Sequence, residues 1–208
     1  MSDPWRLLDT GALPAAENMA IDEALLRARG EGQAPDTLRF LAFSPHCALL
    51  GYHQNAEEEL YLDFCRQRGI EVNRRLTGGG AIYCDTTQVG WELVMAEEAL
   101  PYPPGSRELD RFVCQGAVLG LQRLGVRAEF CHKNDIEVGG RKIGGTGGVS
   151  LGGAFLIHGS ILVCLQMEAV LGALRVSAEK LSDKGVQSVR QRLTCLAEEL
   201  GGRRSPAM

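Results

Sequence analysis

Two glycine-rich segments hold the residues best suited to chemistry: Arg74-Arg75-Leu76-Thr77-Gly78-Gly79-Gly80-Ala81-Ile82-Tyr83 and Arg141-Lys142-Ile143-Gly144-Gly145-Thr146-Gly147-Gly148. Successive glycines let a ligand approach the main chain closely and meet its N–H groups. A guanidinium beside such a loop can grip a phosphate through paired hydrogen bonds. Neither segment is a G-x-x-x-x-G-K-[ST] phosphate loop, and neither has the strand–G-x-G-x-x-G–helix context of a dinucleotide site. Taken singly, each also fits a flexible turn. Lys142 alone fits a solvated hairpin lysine, and Asp135 after Asn134 fits a turn cap.

The seven cysteines are widely spread, with no Cys-x-x-Cys pair. They read as free, mostly buried thiols in a reducing compartment, without a disulfide framework or zinc site. Cys131 and Cys164 are the thiols nearest the candidate chemistry. A nucleophile needs a lowered pKa and an open position, and the sequence shows neither.

Helical periodicity is expected over 17–29, with Ile21, Ala24, Leu25 and Ala28 on one face, and again over 56–68 and 106–124. The helix at 106–124 is expected to turn Leu109, Phe112, Val113, Leu119 and Leu124 inward. Strands are expected within 37–50, split near Pro45, and at 70–75, 81–83, 88–96, 126–131, 135–138 and 154–163. Gly139-Gly140 offers a tight turn into Arg141. From Met167 onward the chain reads as two helical pieces. These elements predict an α+β domain: one central mixed or antiparallel sheet flanked by helices.

With 208 residues, 45% of them hydrophobic, the chain can bury a real core as a single domain spanning 1–208. A net charge of −4 argues against nucleic acid as a partner. No apolar run is long enough to cross a bilayer, and the N-terminus lacks the basic start and apolar stretch of a signal peptide. A cytoplasmic location without a membrane partner is the expectation.

In combination the motifs are more specific. Glu17 to Leu26, Gly51-Tyr52-His53-Gln54-Asn55, Arg74 to Tyr83 with Asp85, Asn134-Asp135-Ile136, Gly140 to Gly145, His158-Gly159-Ser160-Ile161-Leu162, Leu174-Arg175-Val176 and Asp183 to Val189 follow one another in the order of one family. The chain resembles the lipoate–protein ligase A family, within the wider biotin and lipoate ligase group. The resemblance implies an enzyme that activates lipoate or octanoate with ATP and Mg²⁺. It would then pass the acyl group to a lysine of a lipoyl-acceptor protein.

By the same resemblance, Lys142 contacts both the acyl carbonyl and the nucleotide phosphate. Arg75 binds ATP with Arg74 in support, and Gly78, Gly79, Gly80, Ala81, Ile82 and Tyr83 form a backbone strip for the nucleotide. Gly145 belongs to the lysine segment. Asp135 is the acidic position near the phosphates and the candidate Mg²⁺ ligand. His158 either orients the site or is a satisfied core histidine. Chemistry supports Lys142: charge builds on phosphoryl oxygens in the first step and on the acyl oxygen in the second, and one ammonium can serve both.

Cys84 stands where the family usually has histidine, and Tyr52 replaces an arginine common in one branch. Many relatives continue into a C-terminal accessory domain. Either this chain completes the reaction alone or a separate accessory subunit supplies that part. Two alternatives stay open: an ATP-independent octanoyl or lipoyl transferase using a cysteine, and a subunit that binds without turnover. Asn134-Asp135 favours the ATP-using ligase over the transferase. A biotin ligase fits less well, because no glycine-arginine-rich adenylate loop is present.

Overall fold

The computed structural model describes residues 4–131, 134–175 and 191–201. The strands are β1 (Arg6–Leu13), β2 (Thr37–Phe43), β3 (Cys47–Leu50), β4 (Glu71–Arg74), β5 (Ile82–Cys84), β6 (Gln88–Ala96), β7 (Ala128–Phe130), β8 (Asp135–Val138), β9 (Arg141–Leu151) and β10 (Ala154–Leu162). The helices are α1 (Ala15–Gly30), α2 (Ala56–Glu59), α3 (Leu62–Gln67), α4 (Arg107–Arg123), α5 (Met167–Ala173) and α6 (Leu196–Glu199).

Seven strands form a mixed sheet in the order β1-β2-β6-β10-β9-β8-β7. Only its β1–β2 pair is parallel. A second sheet, β4-β3-β5, carries the Arg74–Tyr83 segment. The expected α+β architecture with a central mixed sheet and flanking helices is therefore what the chain adopts. Among the described residues no helix is long and apolar enough to cross a membrane.

Alternation along β6 and β10 gives the large sheet two different faces. On one face Trp91, Phe155 and Ile157 pack against Leu109 and Val113 of α4. On the other, Val94, Ala154 and Leu156 pack against Leu26 of α1. A separate apolar cluster joins the second sheet to α3 and α5 through Leu50, Leu60, Cys65, Tyr83 and Ala173.

Several expectations need correction. The buried stripe of α1 is Ala15, Asn18, Met19, Asp22 and Leu26; it lies one position round from the apolar face read from the sequence. Its polar members are buried because a buried arginine faces them, which periodicity cannot show. In α4, Leu109 and Val113 point inward as expected, but Phe112, Leu119 and Leu124 are exposed, and Cys114, Val118 and Leu121 take the inner positions. The helix expected over 56–68 is broken at Leu60, which turns extended to bridge Leu174. β1 went unread. The glycine-rich segment from Arg141 is an eleven-residue strand; pairing with β8 on one side and β10 on the other overrides its poor strand propensity. Of the expected C-terminal helical pieces, α5 and α6 are present, and 176–190, including the Asp183 to Val189 motif, lies outside the described residues.

Candidate active site

The α1-side face of the large sheet carries a trough made by the absence of side chains. Asp135, Gly145, Ser160, Gly90 and Leu41 are cross-strand partners in one row through β8, β9, β10, β6 and β2. The next row on the same face is Gly147, His158, Glu92 and Arg39. Gly90, Gly145 and Ser160 put no large side chain of their own in the middle of the first row; Leu41 leans over Gly90 and Lys142 over Gly145, and a cavity of about 1070 Å³ is lined by these residues. The loop from Arg75 to Ile82 supplies the opposite wall.

That loop is held by packing that only glycine permits. A Cβ on Gly51 would lie 2.0 Å from the Gly79 carbonyl oxygen, and Gly79 itself has φ +95. Gly51→Ala must therefore displace the loop. The expected result is at least about a 10²-fold loss of activity, because a shift of about 1 Å at the wall of a site has that effect. Steady-state kinetics checks it, and wild-type kinetics in that variant would contradict it.

Arg75 is buried and engaged by its own loop. Its Nε donates to Thr77 Oγ1 at 3.0 Å and its Nη1 to the Leu49 carbonyl at 3.1 Å. Nη2 donates to the carbonyls of Gly78 and Gly80, both at 2.8 Å. The guanidinium thus shapes the loop from behind, while Gly78, Gly79, Gly80, Ala81 and Ile82 line the cavity. Arg74 points elsewhere: its Nη1 donates to the carbonyls of Gly51, Tyr52 and Gln54 at 2.7–2.9 Å, pinning the chain after β3. Tyr83 is buried in the second sheet's core with its hydroxyl bonded to His46 Nδ1. Burial, then nearby acidic groups, pushes its phenol up to about 12.

His158 joins the loop to the sheet, with its Nε2 2.9 Å from Thr77 Oγ1. Burial, with Arg75 nearby, pushes its pKa down to about 4. The imidazole is neutral at neutral pH. Since Thr77 Oγ1 accepts from Arg75, its hydroxyl can donate to His158 Nε2, leaving the ring proton on Nδ1.

Lys142 stands at one end of the trough, Nζ 2.6 Å from Asp135 Oδ1. Gly145 makes room for it, since a Cβ there would lie 2.8 Å from that Nζ. The Lys142 carbonyl accepts from the Thr194 N–H at 2.9 Å, and Arg141 pairs with Glu198 and Glu199, so the segment around α6 pins this strand. Asn134, beside Asp135, lines the cavity and is latched to Thr146 through its main chain and side chain.

Of the expected site residues, the cavity gathers Arg75, Gly78 to Ile82, Lys142, Gly145 and His158, with Asp135 held against Lys142. Arg74 and Tyr83 do not line it. Sequence reading missed Gly90, Ser160, Asp22 and Glu92. Ser160 and Asp22 fall within the quoted motifs, whereas Gly90 and Glu92 carry no local signal.

The cysteines divide clearly. Cys131 and Cys164 do not line the cavity. Burial and the neighbouring Glu137 carboxylate, with Glu129 and Asp135, push the Cys131 thiol up to about 11. Cys84 does line the cavity, but it is buried opposite Cys47 across the β3–β5 pair. Its hydrogen bond and burial hold the Cys47 thiol strongly protonated.

A mixed sheet covered by a helix on each face thus holds a glycine-walled trough beneath a glycine loop. Residues 14–208 match the family model described as "Lipoyl protein ligase A/B catalytic domain", and the chain belongs to that family. It is similar to the octanoyltransferase LipM of Symbiobacterium thermophilum, 34% identical over 97% of this chain and 80% of the relative. The octanoyltransferase LipM of Moorella thermoacetica is likewise 34% identical, over 99% of this chain and 82% of the relative. Among solved structures, one from a study of a bi-partite lipoate protein ligase and its E2 lipoyl domain from Thermoplasma acidophilum superposes with a TM-score of 0.80 at 30% identity, covering 93% of this chain and 74% of that one. Lipoate-protein ligase A bound with ATP gives 0.77 at 29%, covering 95% and 77%.

Proposed function

We propose that this protein is a lipoate–protein ligase. Lipoate or octanoate and ATP give acyl-adenylate and pyrophosphate, and the ε-amine of a lysine on a lipoyl-acceptor protein then forms the amide and releases AMP. The observation that carries this reading is Lys142, placed beside Asp135 at the end of a trough whose opposite wall is the glycine loop. Carboxylate attack on the α-phosphate loads negative charge onto phosphoryl oxygens, and attack on the anhydride loads it onto the acyl oxygen. An ammonium at the junction of trough and loop can stabilise both.

Among the described residues no three His, Cys, Asp or Glu side chains form a metal-binding group. Mg²⁺ needs few protein ligands when phosphates and water complete its shell, so one carboxylate fits it. Asp135 is the residue that would hold it, and the ion would neutralise phosphate charge.

The relatives' names favour a second reading: an octanoyltransferase that carries its acyl group on a cysteine and uses no ATP. Against it stand the raised pKa of Cys131, its position off the cavity, and the burial of Cys84 against Cys47. Two measurements separate the readings. Pyrophosphate release from ATP and lipoate, without acceptor, is expected from the ligase; no release would overturn it. The Cys84→Ala and Cys131→Ala variants are expected to keep transfer within about threefold of wild type, whereas removing a working nucleophile costs orders of magnitude.

A further inference from the structure

Two of the cysteines face each other beside the cavity, and the reaction above uses neither. Cys47 on β3 and Cys84 on β5 are direct cross-strand partners in an antiparallel pair. Their thiols are in hydrogen-bond contact, with Cys47 0% exposed and Cys84 4% exposed. Cys84 lines the cavity and Cys47 does not.

A buried free cysteine is ordinarily an inert core residue. The register sets this pair apart. Directly opposed residues of antiparallel strands have Cα atoms about 4.5–5.5 Å apart, within the range of about 4.4–6.8 Å that a disulfide spans. Their Cβ atoms lie about 4.5–5.5 Å apart, against about 3.8 Å in a disulfide, so the bond forms when the strands close by about 1 Å. An oxidant reaches the pair from the cavity, through Cys84.

Hydrogen peroxide supplies a balanced step. The Cys84 sulfur attacks one oxygen, the O–O bond breaks, and Cys84 becomes a sulfenic acid while its thiol proton leaves with the other oxygen as water. The Cys47 sulfur then attacks the Cys84 sulfur, the S–O bond breaks, and the Cys47 proton leaves with the hydroxyl as a second water. Two thiols are oxidised to one disulfide. A small dithiol reverses this by exchange and is itself oxidised to its disulfide. An acyl carrier must react at every turnover, whereas this step happens once per molecule, so the slow attack of a buried thiol suffices.

The consequence for the cavity follows from what the two strands hold. The Leu50 carbonyl accepts from the Arg75 N–H at 2.9 Å, and the Leu49 carbonyl accepts from Arg75 Nη1 at 3.1 Å. β5 opens at Ile82, where the glycine loop ends. Closing β3 on β5 therefore moves both roots of that loop.

We propose that Cys47 and Cys84 form a reversible disulfide, made by peroxide entering through the cavity, which shifts the glycine loop and switches the site off until a thiol reduces it. The loss of activity rests on the acyl reading of the cavity given above; the disulfide does not.

The intact protein, reduced and then exposed to hydrogen peroxide, is alkylated under denaturing conditions and mapped by mass spectrometry. A peptide linking Cys47 to Cys84 is expected, and dithiothreitol is expected to return both thiols. Acyl transfer to a lipoyl-domain acceptor is expected to fall at least about tenfold on oxidation, as a shift of about 1 Å at a site wall implies, and to recover on reduction. Cys84→Ala is expected to keep its activity through the same treatment, and Cys47→Ala is the second variant, expected to form no link and to leave a sulfenic acid at Cys84. Alkylation of Cys47 and Cys84 after oxidation overturns the proposal, as does a linked protein that transfers as fast as the reduced one. Absence of transfer by the reduced protein overturns the acyl reading instead, and the peptide map still decides the disulfide.

Discussion

Lys142→Ala is expected to lower acyl transfer by at least about 10³-fold while leaving the fold in place. Loss of one preorganised donor at a developing charge costs about 10²–10³ in rate, and this ammonium is assigned to two successive steps. The structural cost is small by comparison. The Lys142 side chain is 40% exposed and its ion pair with Asp135 lies near the surface, where such pairs contribute about 0–1 kcal/mol. Single-turnover kinetics and a melting curve on one preparation check both halves. Comparable transfer by the variant would remove Lys142 from the mechanism, and a collapsed melting curve would make its role structural.

The largest effect on stability is expected at Arg39. Arg39→Met keeps the bulk and removes the cation, leaving Asp22 and Glu92 facing each other in the interior. Breaking a buried ion cluster in this way costs about 3–5 kcal/mol. The pH dependence has a definite sign. Both carboxyls are already raised above their ordinary values by burial, and Asp22 further by Glu92, with Arg39 opposing the rise. Removing Arg39 raises them more. An acid whose folded pKa is raised contributes stability that is present below the unfolded value and lost as pH rises through the folded value. Arg39→Met should therefore be least destabilised near pH 4 and progressively worse toward pH 8. Urea denaturation at several pH values measures this, and a pH-independent difference would contradict the account.

How much of this was legible in the sequence depends on what kind of signal each part carries. β6 alternates in sequence, Ser106 caps α4, and Gly139-Gly140 turns β8 into β9, so these elements could be read from local rules. The glycine loop and Lys142 were legible as a combination of motifs. β9 was not, because its glycines argue against a strand and only its two neighbours impose one. Those same glycines form the trough, a feature that exists only once Gly145, Ser160 and Gly90 are brought into register. Asp22 and Glu92 were illegible for a related reason. They lie 70 positions apart, and the arginine that makes their burial tolerable stands on a third element. Arg75 shows the converse, since its residue type suggested phosphate while its hydrogen bonds go to the loop that would meet the phosphate.

Intact mass of a purified lipoyl-domain acceptor, after incubation with this protein, tests the central claim most directly. Free lipoate and an octanoyl-carrier protein serve as donors, each with and without ATP–Mg²⁺. Modification from free lipoate that depends on ATP is the expected result. Modification from the carrier-bound donor alone, indifferent to ATP, would contradict it and make a cysteine the acyl carrier.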